Sequence, residues 1–361
     1  MKITNIFMGL VLIAVGVLGV GAWQLGFFLP AGPAHVFVVQ KNENFVHIAH
    51  RLEAQRIIKS SRALRWYVSF WGSSKKLQRG EFAVVENMPI PELVSALTEG
   101  KPIEYKFTIP EGYNMFQVAE MLQESGFGTA QEFLKIFRSP EITSLIPTAD
   151  KNGPKPLSVE GYLFPDTYLL QKVYSPHEIV QLMLMHFREE YRGWKDSVAG
   201  NAQLKALGLS AADVVTLASI VEKETGAAAE RPLIASIFLN RLQKHMRLQT
   251  DPTVIYGIWE KHGSFDGKIH KSDLLTPTDY NTYVINRLPP GPIANPGKSA
   301  VEAVLKPATS EYLYFVSQNN GTHVFSKNYE DHQRAVNANQ LNPAAREGKS
   351  WRDLPKSERA K

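Results

Sequence analysis

The feature that most constrains this chain lies at its start. From Ile6 to Leu29 no residue carries a charge, and the run Ile-Phe-Met-Gly-Leu-Val-Leu-Ile-Ala-Val-Gly-Val-Leu-Gly-Val is apolar on every side. A membrane-spanning helix needs ~20 such residues, whereas the apolar part of a cleavable signal peptide covers only ~7–15. The small residues Ala31-Gly32-Pro33-Ala34 keep a cleaved signal as the rival reading. The run predicts a transmembrane helix over residues 6–29, with residues 1–5 as a cytoplasmic stub and the bulk of the chain extracytoplasmic. Lys2 is the only charged side chain before it and Lys41 the next one after it, a weak positive-inside signal for that orientation. Trp23 and Phe27-Phe28 fall where an outer aromatic belt would lie.

The remainder has the composition of folded protein. Of 361 residues, 44% are hydrophobic and 21% charged, far from the balance that keeps chains disordered. With no cysteine there is neither a disulfide framework nor a Cys-ligated metal site. The net charge of +5 suits anionic lipid or an acidic polymer, but no nucleic-acid-binding module accompanies it, so nucleic acid is not expected as a partner.

Hydrophobic periodicity then predicts an α+β chain. Val36–Val39 reads as a strand, Phe45–Leu52 and Ser61–Trp71 as helices, Gly80–Val85 as a returning strand, and Ile90–Leu97 as a short helix. This strand-helix-helix-strand unit is either a glycan-gripping module or a packing subdomain that shapes a cleft. A second unit opens with the strand Tyr105–Ile109, followed by helices at Met115–Ser125, Ala130–Phe137 and Ile179–Tyr191. Between the last two, Glu160-Gly161-Tyr162-Leu163-Phe164-Pro165-Asp166-Thr167-Tyr168 is aromatic and interrupted by proline. It reads as a loop, and its rings suit either stacking on sugars or plugging a core.

The chemistry is expected on the helix that starts at Ser210, with Asp213 three residues on, and runs to Gly226. On a helical wheel Val214, Leu217, Ala218 and Val221 share one face. Glu224 falls one turn beyond Val221, inside that apolar sector, and Glu222 on its far flank, so the wheel turns only Glu224 to the core. A carboxyl held against apolar groups resists ionisation and keeps its proton near neutral pH, as a general acid must. The plainer alternative is a glutamate at a frayed helix end, paired with Arg231 or Lys223.

Three blocks surround this point: Ala218-Ser219-Ile220-Val221-Glu222-Lys223-Glu224-Thr225; Asn240-Arg241-Leu242 followed by Met246-Arg247-Leu248-Gln249-Thr250-Asp251-Pro252-Thr253-Val254-Ile255-Tyr256-Gly257; and Tyr280-Asn281-Thr282-Tyr283 leading to Leu288-Pro289-Pro290-Gly291-Pro292-Ile293-Ala294-Asn295-Pro296-Gly297. In this order they resemble the membrane-anchored endolytic murein transglycosylases, and the likeness extends over nearly the whole chain. It implies a single-span anchor, a LysM-like α+β unit over 36–104, a connecting α/β subdomain over 105–205, an α+β catalytic domain over 206–345 and a charged tail over 346–361. It implies location in the cell inner (cytoplasmic) membrane, peptidoglycan glycan strands as substrate, and peptidoglycan synthases as partners. The catalytic residue of that family is the second glutamate of Glu-Lys-Glu, which here is Glu224. The Glu-Thr pair also resembles the Glu-Ser pair of lysozyme-like lytic transglycosylases.

Such enzymes cleave the MurNAc-GlcNAc bond of nascent strands and close a 1,6-anhydro ring on MurNAc, so one carboxyl serves where hydrolases use two, and internal cuts would terminate strand growth. Gln249, Asn281, Tyr283 and Asn286 are suited to hydrogen-bonding sugar hydroxyl and acetamido groups, although Asn281 and Asn286 also suit turns and Gln249 a strand end. Asp251 reads first as part of a helix start and second as a site residue, and Glu160 is a further candidate. No cofactor or metal is expected. His177-Glu178 lacks the second histidine of a zinc helix, since Gln181 stands there, and Gly291 to Ser299 has one residue too many for a phosphate loop. His323 and His332 show no ligand spacing. The reading from another class is a membrane-tethered, non-catalytic peptidoglycan-binding scaffold.

Overall fold

The computed structural model describes residues 2–72, 77–148 and 156–341. The chain divides into two compact units, Met1–Lys106 with Leu169–Ser175, and Phe107–Tyr168 with Pro176–Lys361. Among the described residues the strands form three two-stranded sheets. The expected tail at 346–361 lies outside the described residues.

The first unit contains α1 (Lys2–Gln24), β1 (Ala34–Val39), α2 (Phe45–Ala54), α3 (Ser61–Tyr67), β2 (Gly80–Val85) and α4 (Ile90–Thr98). Asn44 and Ser60 start α2 and α3 by accepting from the Val46 and Ala63 amides. β1 and β2 pair antiparallel with Phe37 opposite Phe82, and alternation turns Phe37, Val39, Phe82 and Val84 inward. Ile48, Ala49 and Leu52 of α2, with Leu64 and Leu93, close this core.

The apolar start of the chain behaves differently from its expectation. α1 stops at Gln24. Gly26 adopts a left-handed φ of 90°, and the Leu25 carbonyl accepts from the Ile90 amide at 2.9 Å. Leu25 packs on the small unit's core, so the end of the apolar run turns away from the helix axis instead of prolonging it. Among the described residues no helix is long and apolar enough to cross a membrane. The transmembrane helix expected over 6–29 is thereby overturned, and with it the single-pass inner-membrane localisation.

The second unit carries β3 (Tyr105–Thr108, its first two residues in the other unit), α5 (Met115–Glu124), α6 (Ala130–Phe137), α7 (Pro140–Thr143), β4 (Thr167–Leu170, likewise shared), α8 (Pro176–Gly200), α9 (Ala202–Ala206) and α10 (Ala211–Glu224). It continues with α11 (Arg231–Gln243), α12 (Asp251–His262), α13 (Lys271–Leu275), α14 (Lys298–Leu305), β5 (Tyr314–Ser317), β6 (His323–Ser326) and α15 (Tyr329–Val336). α10 sits at its centre. Ser210 and Asp213 form a capping box at its start, and every residue from Val214 to Val221 is buried against neighbours that include α8, α11, α12 and α14.

The proline-rich block is clasped behind this helix. Ser219 Oγ accepts from the Ile293 amide at 3.0 Å. Buried Asn295 accepts from the Leu163 amide at 2.9 Å and donates through Nδ2 to the Tyr113 carbonyl at 2.8 Å, joining three distant segments. Gly161 makes the approach possible: its φ is +84°, and a Cβ there would lie 2.5 Å from the Pro292 side chain and 3.1 Å from Val215. Gly161→Ala is therefore expected to lower stability by at least ~2 kcal/mol, adding left-handed strain to overpacking. Urea unfolding measures it, and a midpoint equal to the parent's would show that Pro292 gives way freely.

Candidate active site

A cleft of about 870 Å³ opens in the second unit at the C-terminal end of α10. One side presents Glu222, Lys223 and Glu224 at the helix end. A second presents Gln249, Asp251 and Tyr283, and the third is the β5–β6 hairpin backed by α15.

The two glutamates of α10 differ in their partners. Glu222 Oε1 lies 2.6 Å from Arg231 Nη2, and its Oε2 accepts from the Gly297 amide at 3.0 Å. Its side chain is only 5% exposed, so both glutamates, and not Glu224 alone, are drawn inward. The wheel's polar flank is not solvent here, because neighbouring segments pack around the helix. Burial raises the Glu222 pKa and the Arg231 charge opposes the rise. Glu111 also approaches Arg231, at 3.5 Å.

Glu224 has no ion-pair partner among the described residues. It is half-buried and lines the cleft. Burial pushes its pKa up to about 7, with the Asp251 charge adding to the rise, while the Thr250 hydroxyl and the Arg241 guanidinium pull the other way. The plainer alternative pairing thus falls elsewhere: Arg231 is taken by Glu222, and Lys223 Nζ donates to the Gly112 carbonyl at 3.1 Å.

Of the other expected residues, Gln249, Asp251 and Tyr283 share this cleft. Gln249 holds a left-handed φ of 50°, a strained conformation for a residue with a side chain. The Tyr283 hydroxyl donates to Asp251 Oδ1 at 2.6 Å. Asp251 opens α12, but no side chain caps that helix. Asn281 is buried, and its amide donates to the carbonyls of Asp273, Leu274 and Thr276, closing the end of α13. Asn286 is exposed and away from the cleft lining. Glu160 is 2% exposed and accepts from the Met115 amide at the start of α5, outside the cleft lining, where burial pushes its pKa up to about 8.

Two features escaped the sequence reading. Arg241, buried on α11, donates to the Leu313 carbonyl at 2.6 Å and to those of Arg247 and Leu248 at 3.1 and 2.8 Å, and its guanidinium lies 5.1 Å from the Tyr314 ring centre. It thereby joins the strand side of the cleft to the loop that carries Gln249. A charge inside the apolar stretch Leu233–Leu242 was its signal. The β5–β6 hairpin was the other, announced by Asn320-Gly321 between two aromatic, β-branched runs.

At the end of the enclosed α10, in an α+β unit, Glu224 thus faces a polar and aromatic cleft without an ion-pair partner among the described residues. The chain belongs to the YceG-like family, whose model matches residues 37–338. It is 34% identical over 300 residues to an endolytic murein transglycosylase of Bacillus subtilis, covering 80% of each chain. To the endolytic murein transglycosylase of Streptococcus pneumoniae strain D39 it is 26% identical over 326 residues, spanning 82% of this chain but 57% of that protein. The crystal structure of a yceG-like protein from Listeria monocytogenes matches it with a TM-score of 0.55 and 32% identity, over 83% of this chain and 98% of that one.

The Glu224 pKa has a consequence for stability. Its folded value, about 7, lies above the ordinary 4.5. Between those pH values the unfolded chain has released the proton that the folded chain retains, so stability falls as pH rises through this window and no penalty exists below it. Glu224→Gln is expected to gain stability relative to the parent from pH 4.5 to pH 7, with a constant difference above; Glu160 titrates in both proteins and cancels. A stability difference that is the same at pH 4 and pH 8 by denaturant titration would contradict the raised value.

Proposed function

We propose that Glu224 is the acid and base of this protein and that its reaction leaves 1,6-anhydro-MurNAc ends on peptidoglycan. That the protein is an enzyme, a lyase acting on peptidoglycan, follows from its family and its curated relatives, and the non-catalytic scaffold reading falls with it. The observation that supports the role is the division among the carboxyls of the cleft. Glu111 and Glu222 face Arg231, and Asp251 accepts from Tyr283. Glu224 is left without an ion-pair partner among the described residues and with its pKa at about 7, poised to give a proton and to take one back.

Glu224 first protonates the glycosidic oxygen between MurNAc and GlcNAc, and the C1–O bond breaks as the GlcNAc hydroxyl departs. The carboxylate then removes the proton from the MurNAc 6-hydroxyl, whose oxygen bonds to C1 and closes the anhydro ring. The proton account balances, and no water enters. Attack by a group on the same sugar has a high effective concentration, so one carboxyl suffices. Internal cuts in nascent strands, which end their elongation, fit the word endolytic in the names of the relatives. Such a role would bring the protein together with peptidoglycan synthases. We extend the proposal to the first unit, whose two antiparallel strands and intervening α2 and α3 suit a LysM-like grip on glycan.

Asp251 supports a second reading. It lies on the same cleft and its charge raises the Glu224 pKa, so it could activate water as the second carboxyl of a hydrolase. Products made from purified glycan strands in ¹⁸O-labelled water separate the two. The lyase yields anhydro ends without label, and labelled reducing ends would establish hydrolysis instead. Glu224→Gln is expected to lose at least ~10²-fold in kcat, the usual scale of general acid–base catalysis. Retention of the full rate would remove Glu224 from the chemistry.

A further inference from the structure

The cleft holds a second oriented group that the reaction above does not use. Glu230, the last residue of the short turn Ala228–Glu230 after the catalytic helix, faces His323, the first residue of β6. One carboxyl oxygen accepts from the His323 backbone amide at 3.0 Å and the other lies 2.7 Å from the ring Nδ1. The ring meets Phe315 edge-on, with centroids 5.4 Å apart and planes at 82°. The two side chains are only 9% and 16% exposed, and His323 lines the same cleft as Glu224.

A carboxylate that accepts at Nδ1 keeps the proton on that nitrogen, so in the neutral ring Nε2 carries a lone pair and accepts hydrogen bonds. Backbone and ring are gripped by one carboxylate, which fixes both the position and the tautomer of the imidazole. Nε2 has no hydrogen-bond partner among the described residues. We propose that His323, oriented by Glu230, is a second substrate-binding residue, its Nε2 accepting a hydrogen bond from a sugar hydroxyl of the glycan held in the cleft. This rests on the lytic transglycosylase reading. The pair also ties the segment after α10 to the hairpin, and a tie alone would impose the same tautomer; what points to a ligand is that the ring lines the cleft with Nε2 unpartnered among the described residues.

Two variants separate binding from tying. In Glu230→Gln the amide oxygen still accepts from the His323 backbone, while its NH₂ donates to Nδ1 and moves the ring proton to Nε2, turning an acceptor into a donor with the tie intact. In His323→Asn the shorter amide still donates to Glu230, and the Nε2 position is empty. Full-length protein carrying Glu224→Gln binds purified, uncrosslinked glycan strands without turning them over, and calorimetry gives Kd. In that background each variant is expected to weaken Kd about tenfold, the scale of one lost hydrogen bond, with an unchanged unfolding midpoint. In otherwise unaltered enzyme the same changes raise KM more than they lower kcat, and the ¹⁵N shifts of His323 in Glu230→Gln report the exchanged tautomer. Unchanged Kd and KM in both variants, or a loss of binding matched by a loss of stability in both, overturns the proposal. If Glu230→Gln does not fold, His323→Asn decides alone. Should Glu224→Gln remain fully active, the reading of the reaction fails, while the KM and kcat comparison in otherwise unaltered enzyme still tests His323.

Discussion

The enclosure of α10 is the constraint on which the rest of this structure depends. A helix buried from Val214 to Val221 on all sides delivers its last turn to the cleft, where Glu222 and Glu224 are withdrawn from much of the solvent. Any carboxyl there is disfavoured as an anion unless a cation or a set of donors meets it. Glu222 finds both, in Arg231 and the Gly297 amide. Glu224, two residues on, finds neither to the same degree and keeps its proton to about pH 7. The same desolvation thus leaves one glutamate paired and the other raised in pKa, and the partners supplied from outside the helix make the difference.

Arg231 comes from the next helix and Gly297 from far along the chain, which explains what could and could not be read from it. The helices with a polar residue three positions before an apolar repeat were legible: Ser210 and Asp213 form the capping box that their spacing announces, and α6 begins and ends where expected. The loop expected at 160–168 is irregular only as far as Asp166, where Gly161 and Pro165 interrupt it, and Thr167 and Tyr168 belong to β4 instead. Exclusion of Glu222 from the core was misread, since a wheel describes one helix and the buried polar flank of α10 is made by residues 293–297 and Arg231. Asn281 and Glu160 were chosen by chemical type, yet both spend their hydrogen bonds on backbone groups, Asn281 at the end of α13 and Glu160 at the start of α5. Residue type alone does not reveal whether a polar side chain faces a ligand or an unsatisfied helix terminus.

The start of the chain shows the same limit from the hydrophobic side. Hydropathy counts apolar residues but does not register where the backbone turns. The left-handed Gly26 and the hydrogen bond from Ile90 to Leu25 take the end of the run out of the helix and set Leu25 against the core of the small unit, while Phe27 and Phe28 stay exposed. Leu25 is then accounted for by packing within the fold rather than by a surrounding solvent of lipid. A glycine inside an apolar run was visible, but its effect depends on a partner strand and helix more than fifty residues away.

The cleft itself is assembled from segments that carry little signal singly. The wall opposite α10 is a hairpin, and a two-stranded hairpin is marginal by itself. It is fastened at both ends. Arg241 donates to Leu313 just before β5, and Glu230 grips His323 at the start of β6. Both fastening side chains belong to the stretch that follows α10, so the register of the wall is set by the segment that directly follows Glu224. Arg241 also acts electrostatically on Glu224 and holds the loop of Gln249 through Arg247 and Leu248. A displacement of α11 would therefore move the acid's counter-field, the strained loop and the hairpin together. Geometry and acidity in this cleft are coupled through one helix, to which the acid's surroundings and both walls are fastened.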